Sequence, residues 1–372
     1  MHFIFVETFD RRFWNGRIAR EEKGVSGSHA APMYLAEGLA QLNHTVDFVS
    51  LNNNMIEETY LNVQYSNATS FTKTQCDYIV ITNNCQDFGI LQKVRIFKKI
   101  IVVMHNDLHF HNRTVEQILS IQERLIIAYL NPFGKINIER VQPFLKDVRS
   151  IFLPNSICLK DVLPLNMKQK NENHFFCFFA CVGRGLPVAV EIVKQWNQQI
   201  QNKDKTFKIF TNTYADEHRH LTQSNDVLIQ TDGCSKNVIY QHLVKSKYFV
   251  YPLIDMETNQ IHYDTFGYVV LEALLHGVIV IAPKIAVYEE LFGDAVCYVD
   301  TEGIIPEDDL LFWKKQNANF GTPLVHKYLE KIEMLENNPQ KRNEYIEKGL
   351  SIGEKFSNRK MSFLLLQYLR QL

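Results

Sequence analysis

The chain has 372 residues, more than one hydrophobic core usually serves, so two domains of about 150 to 200 residues are expected. Hydrophobic residues make up 46% of it, enough to fill two cores. A formal net charge of -1 at pH 7, with no long Lys/Arg block, excludes a dedicated nucleic-acid-binding protein.

In chain order, residues 3–6 (FIFV) read as a buried strand. Met33, Leu35, Ala36, Leu39, Ala40 and Leu42 then recur at helical spacing within residues 26–42, and residues 44–50 (HTVDFVS) alternate as a strand. That is strand, loop, helix, strand, the opening unit of an α/β layer. Residues 78–82, 100–104 and 125–129 are further strands, with an edge strand near 61–65 and a short helix near 114–120. The apolar run 144–153 continues the pattern and stops at Pro154, Asn155 and Ser156. Residues 163–174 (LPLNMKQKNENH) turn polar and mark a linker.

A second α/β series follows: strands at 175–180, 207–211, 227–230 and 248–252, and helices at 186–199 and 237–245. A helix at 267–275 leads to a strand at 278–282 whose β-branched run has no polar alternate, as a parallel strand covered on both faces requires. Beyond a loop at 302–323, helices are expected at 324–337, 342–356 and 360–372, with Ser357 or Asn358 capping the last.

Seven scattered cysteines without a CxxC pair point to free thiols in a reducing compartment. The N-terminal apolar run is too short for a signal peptide, and no apolar stretch reaches membrane-spanning length, so a soluble cytoplasmic protein is expected. Peripheral membrane contact stays open. Lys93, Arg95, Lys98 and Lys99, with Phe97, form a short basic patch that fits either an anionic acceptor or a solvated face.

The segment HYDTFGYVVLEALLHG places Asp264 and Glu272 eight residues apart around Phe266 and Gly267. Acids flanking a glycine-marked approach to a helix can grip hydroxyls while backbone N–H groups face an anion. Arg184 and Gly185 follow the strand at 175–180, and guanidinium geometry matches phosphate oxygens. The loop at 24–28 holds Gly24 and Gly27. It fits a ligand loop or a plain strand–helix turn, and it is not the GxGxxG fingerprint of a nicotinamide-cofactor domain. His105, His109 and His111, with Asp107, lack the spacing of a recognised zinc site.

Together these features resemble the retaining glycosyltransferases of the GT-B fold, most closely the family numbered four. The early glycine loop, a histidine at a later strand end, the basic–glycine pair, DTFGYVVLEALLHGVIVIAP and KFSNRKMSFLLLQYL carry the resemblance. It implies an α/β chain of two Rossmann-like parallel-sheet domains facing across a cleft. Residues 1–165 form the acceptor side, residues 166–355 the donor domain, and the helix at 356–372 packs back on the first domain. The implied activity is metal-independent, retaining hexosyl transfer from a UDP- or GDP-sugar, with no tightly bound cofactor. Its acceptor is a hydroxyl of a glycan, a lipid-linked or a small molecule, in polysaccharide or glycoconjugate synthesis.

By the same resemblance, Glu272 binds the ribose hydroxyls. Asp264, standing where that family usually has Glu, contacts the donor sugar. Phe266, Gly267, Tyr268 and Val269 form the pyrophosphate-binding start of the helix. Arg184 neutralises the departing diphosphate, and Phe179 stands where family members commonly carry an arginine. His105 faces the reacting sugar and Gly27 touches ligand, while Gly233, Ser235 and Asn237 line the base pocket. The closing helix lacks a sustained heptad, so a monomer or weak dimer is expected. Two other readings remain: a sugar-nucleotide epimerase or hydrolase of the same fold, which needs no acceptor, and a non-catalytic carbohydrate-binding scaffold, which turns nothing over.

Overall fold

Apolar runs such as those at 100–104 and 278–282 need cover on both faces, and the chain provides it with two parallel sheets. The computed structural model describes residues 1–8, 13–22, 24–82, 88–105, 112–165, 174–180, 184–199, 206–211, 227–231, 234–255, 260–261, 264–301 and 321–371. They form two units, Met1–Leu159 with Glu354–Leu372, and Lys160–Gly353.

In the first unit, eight strands pair among the described residues. They are β1 (His2–Glu7), β2 (Thr45–Ser50), β3 (Glu58–Tyr60), β4 (Val63–Asn67), β5 (Tyr78–Ile81), β6 (Lys99–Met104), β7 (Leu125–Tyr129) and β8 (Ser150–Phe152). Their order is β3-β4-β2-β1-β5-β6-β7-β8, parallel except for β3 against β4. Helices α1 (Gly16–Glu21), α2 (Gly27–Gln41), α3 (Asn112–Ser120) and α4 (Pro132–Val141) accompany them. The chain leaves β1 toward β2 on one side and later returns to β5 on the other. That reversal creates the crevice where open α/β sheets bind ligands, outside the carboxyl ends of β1 and β5.

A buried ion pair ties α1 to α2. Arg20 donates to both carboxylate oxygens of Glu37, at 2.8 and 2.7 Å, while its guanidinium lies over the rings of Tyr34 and Tyr60.

The second unit pairs six strands among the described residues, all parallel, in the order β11-β10-β9-β12-β15-β16. These are β9 (His174–Phe178), β10 (Thr206–Thr211), β11 (Val227–Thr231), β12 (Tyr248–Val250), β15 (Ile279–Pro283) and β16 (Cys297–Val299). A small antiparallel pair, β13 (Ile254–Asp255) and β14 (Gln260–Ile261), stands apart from the sheet. Helices α5 (Leu186–Gln199), α6 (Lys236–Leu243), α7 (Tyr268–Leu275), α8 (Ala286–Phe292), α9 (Gly321–Glu336) and α10 (Pro339–Ser351) belong to this unit. Its topological reversal falls between β9 and β12, so its crevice lies just past Phe178 and Val250.

The last helix, α11 (Asn358–Arg370), packs on α2 in the first unit. Ser357 caps it by accepting the Lys360 N–H, and the Asn358 N–H donates to the Ile157 carbonyl at 2.8 Å. The two helices approach so closely that a Cβ at Gly38 would stand 2.5 Å from the Asn358 carbonyl oxygen. Only glycine permits that approach without displacement.

The run at 144–153 is not one strand. Pro143 opens a 3-10 turn, Pro143–Asp147, anchored by fully buried Leu145, and β8 begins only at Ser150. A proline has its φ preset and no N–H to give a ladder, which suits a turn start better than a strand. No helix among the described residues is long and apolar enough to cross a membrane.

Candidate functional site

The crevice of the second unit gathers residues that the sequence resemblance assigns to a donor site. After β9, Gly185 takes φ +98°, and a Cβ there would lie 2.9 Å from Pro252 Cβ and 3.0 Å from the Leu253 nitrogen. The Leu253 N–H donates to the Arg184 carbonyl at 3.1 Å. The basic–glycine pair is thus where the turn after β9 crosses the segment after β12, backbone against backbone, and this needs glycine. Phe179 is buried with its ring centroid 4.7 Å from that of Phe249, so its position is apolar core.

The approach to α7 is held by Asp264. Gly267 caps the helix in the left-handed region, φ 78° and ψ 50°, and a Cβ there would meet Tyr288 Cε1 at 2.7 Å. Asp264 Oδ1 accepts the Gly267 N–H at 3.0 Å, and Oδ2 accepts the hydroxyls of Tyr288 at 2.8 Å and Tyr251 at 3.3 Å. Burial pushes the Tyr288 hydroxyl well above the usual tyrosine range, and the Asp264 charge pushes the same way, so that hydroxyl donates. The Arg184 guanidinium pulls it back, which puts Arg184 and Asp264 in one electrostatic neighbourhood. A carboxylate offers about four acceptor positions, so these three donors leave one for a ligand hydroxyl.

The amides of Tyr268, Val269 and Val270 precede the first hydrogen bond of the helix, from Leu271 N–H to the Gly267 carbonyl at 3.0 Å. Such first-turn donors at a positive dipole end suit an anion. Phe266 and Tyr268 are buried, Phe266 against Phe292, while Val269 is partly exposed.

One turn further on, Glu272 is only 1% exposed. Its Oε1 accepts from Lys236 Nζ at 2.5 Å and from the Tyr240 hydroxyl at 2.8 Å. Lys236 is itself buried and lies 5.3 Å from the Tyr268 ring centroid. His276 Nδ1 sits 2.7 Å from the Glu272 carbonyl and its Nε2 accepts the Leu163 N–H at 3.4 Å, which fixes the far end of α7. Ser235 caps α6 by accepting the Val238 N–H at 3.4 Å, and Asn237 is exposed on that helix. Gly233 lies outside the described residues. Glu289 pairs with Lys284 at 3.0 Å on the surface, a solvated role.

In the first unit, Gly27 is the first residue of α2, behind the capping position of Ser26. His105 follows β6, is 5% exposed and meets Asn155 Oδ1 at 3.1 Å through Nε2. Burial pulls its pKa down to about 4, despite the Asn155 hydrogen bond. It borders a recess with Pro32, Leu35, Leu153 and Ser156. Asp107, His109 and His111 lie outside the described residues. No group of His, Cys, Asp or Glu among the described residues is arranged to hold a metal ion. Lys236, Tyr240, Tyr251, Tyr288 and Asn155 were not singled out by sequence as site residues.

No protein-family model matches the chain, and no curated protein matches it in sequence. Solved structures match it along its whole length. A sucrose-phosphate synthase from Thermosynechococcus elongatus is 11% identical with a TM-score of 0.68, covering 100% of this chain and 98% of its own. The Anabaena protein HepE, solved with UDP and glucose, is 10% identical with a TM-score of 0.65, covering 100% of both chains. A trehalose-6-phosphate synthase, studied for glycosyl transfer with retention, is 8% identical with a TM-score of 0.62, covering 100% and 99%. These neighbours are GT-B glycosyltransferases, and the chain has the GT-B fold.

Two outcomes follow from the geometry. Glu272→Ala leaves Lys236 buried without its carboxylate and should cost about 3–5 kcal/mol in urea unfolding. A Lys236→Met/Glu272→Leu double variant should regain most of that loss; equal losses in single and double variants would contradict the pairing. His105 stays neutral in the native chain, while its unfolded imidazole takes up a proton below the ordinary value of 6.5. Stability should therefore fall by about 2 kcal/mol from this group between about pH 7 and about pH 5, and His105→Gln should remove that part of the slope. Parallel pH dependence in both proteins would contradict it.

Proposed function

We propose that the chain is a metal-independent, retaining glycosyltransferase that moves a sugar from a nucleoside-diphosphate sugar to an acceptor hydroxyl in glycan or glycoconjugate synthesis. One observation carries the reading: the crevice of the second sheet brings together a left-handed glycine cap, the first-turn amides of α7, a guanidinium whose charge acts on the Tyr288 hydroxyl, and two acids on one helix and its approach. Diphosphate and polyol are the chemistry these groups recognise.

In this reading the donor diphosphate lies on the amides of residues 268–270, with Arg184 on its oxygens. The remaining acceptor position of Asp264 takes a hydroxyl of the donor sugar. Glu272, held by Lys236 and Tyr240, accepts from the ribose diol through the carboxylate capacity they leave. The C1–O bond to the diphosphate breaks, its electron pair goes to the phosphate oxygen, and preorganised donors meet the growing charge better than water does. The acceptor hydroxyl bonds to C1 on the face the diphosphate leaves, and its proton passes to that departing phosphate.

Retention draws support from the trehalose-6-phosphate synthase neighbour, and a UDP-linked donor from the UDP held by HepE. Family four membership rests on the order of motifs. A cytoplasmic location rests on the scattered cysteines.

Calorimetric titration with UDP and GDP tests the donor site. The wild-type chain should bind one of them, while Arg184→Ala and Glu272→Gln, with unchanged circular dichroism, should bind about tenfold or more weakly. Folded variants that bind like wild type, or a wild-type chain that binds neither nucleotide, would remove the basis for the assignment.

A further inference from the structure

On the side of the second sheet away from its crevice, three basic groups gather that the donor site does not use. α6 starts with Lys236 beside Glu272 and ends at Leu243, where Lys245 leads toward the amino end of β12. In the last turn of α6, the His242 ring lies 5.1 Å from the Phe210 ring, centroid to centroid. Side chains alternate along a strand, so Lys208, two residues before Phe210 on β10, emerges on the same face and nearer the amino end. Lys208, His242 and Lys245 thus share one corner of the unit.

Lys208 is the unusual member. It is only 9% exposed, although a lysine stem normally carries its ammonium out to water. Among the described residues no carboxylate pairs with Lys208 or Lys245. Burial lowers the Lys208 pKa and the charge of Lys245 lowers it further, while burial, Lys208 and Lys245, in that order, lower that of His242. A desolvated ammonium beside a second cation calls for a counter-charge. Helix capping does not supply a reason for the group. The Tyr240 carbonyl accepts the Val244 N–H at 3.0 Å. The His242 carbonyl accepts the N–H groups of Lys245 and Ser246, at 3.1 and 3.0 Å, and the Ser246 hydroxyl at 2.9 Å. The carboxyl end of α6 is closed by its own turn and draws on neither lysine side chain.

We propose that Lys208, Lys245 and His242 form an anion site on the second unit, holding a phosphoryl group that arrives as free phosphate or on a small phosphorylated metabolite. Two ammonium groups match a dianion, whereas a single carboxylate neutralises only one of them. The imidazole adds a donor for a further oxygen. The site is separate from the donor crevice and stands independently of the glycosyltransferase reading.

Calorimetric titration of the full chain with inorganic phosphate and with glucose-6-phosphate, at an ionic strength held constant with chloride, tests it. Saturable binding in the wild type should weaken about tenfold or more in Lys208→Met, and likewise in Lys245→Met, whose exposed position spares the fold. Arg184→Ala should bind phosphate as the wild type does, because that guanidinium serves the donor side. Glucose-6-phosphate binding no tighter than phosphate identifies a site for the free oxyanion, and tighter binding one for a phosphorylated metabolite; either supports the proposal. Without phosphate, Lys208→Met should unfold at the same urea concentration as the wild type or a higher one, since methionine keeps the stem and removes the uncompensated charge. No saturable binding of either probe, unchanged binding in either lysine variant, or a lower urea midpoint for Lys208→Met would overturn the proposal. Loss of phosphate binding in Arg184→Ala would also overturn it, by moving the phosphate to the donor crevice.

Discussion

The start of α7 depends on the Asp264 carboxylate, which accepts a backbone N–H with one oxygen and two tyrosine hydroxyls with the other. Those bonds hold Gly267 in a left-handed conformation that no other residue fits, because Tyr288 fills the space where a Cβ would go. From that fixed turn follow where the first-turn amides point and which face of α7 carries Glu272 inward. Helix capping and the proposed contact to a ligand hydroxyl are therefore not rival roles for Asp264. The cap uses most of its acceptor capacity and leaves the remainder beside the helix dipole.

Glu272 shows the same economy in a drier setting. A buried acid needs a partner, and Lys236 with Tyr240 supplies one from α6. Breaking such a pair by removing one charge is far costlier than replacing both, so an alanine at this position confounds loss of a ligand contact with loss of stability. Glutamine keeps the shape and one acceptor oxygen for Lys236 and Tyr240 but also removes the charge, so its nucleotide binding is read only together with unchanged circular dichroism.

The layers of the fold were legible because parallel strands covered on both faces leave uninterrupted apolar runs, as at 278–282, and because α2 repeats its apolar residues every three or four positions. The pair Asp264 and Glu272 was legible because both lie within one local motif. Their partners were not. Lys236, Tyr251 and Tyr288 reach these acids only through the sheet's tertiary arrangement, and nothing near them in sequence announces it. α4 carried a readable signal, Asn131 followed by Pro132 at the helix start, but few apolar residues mark its buried face. β16, three residues long, is too short for any period to show.

The central claim is that the α7 start and Glu272 together hold a nucleoside diphosphate. A crystal structure of the chain with UDP bound tests it most directly. The account predicts the diphosphate on the amides of residues 268–270 and beside Arg184, with the ribose diol on Glu272. A nucleotide bound elsewhere, or bound with Glu272 contacting only Lys236 and Tyr240, would contradict it.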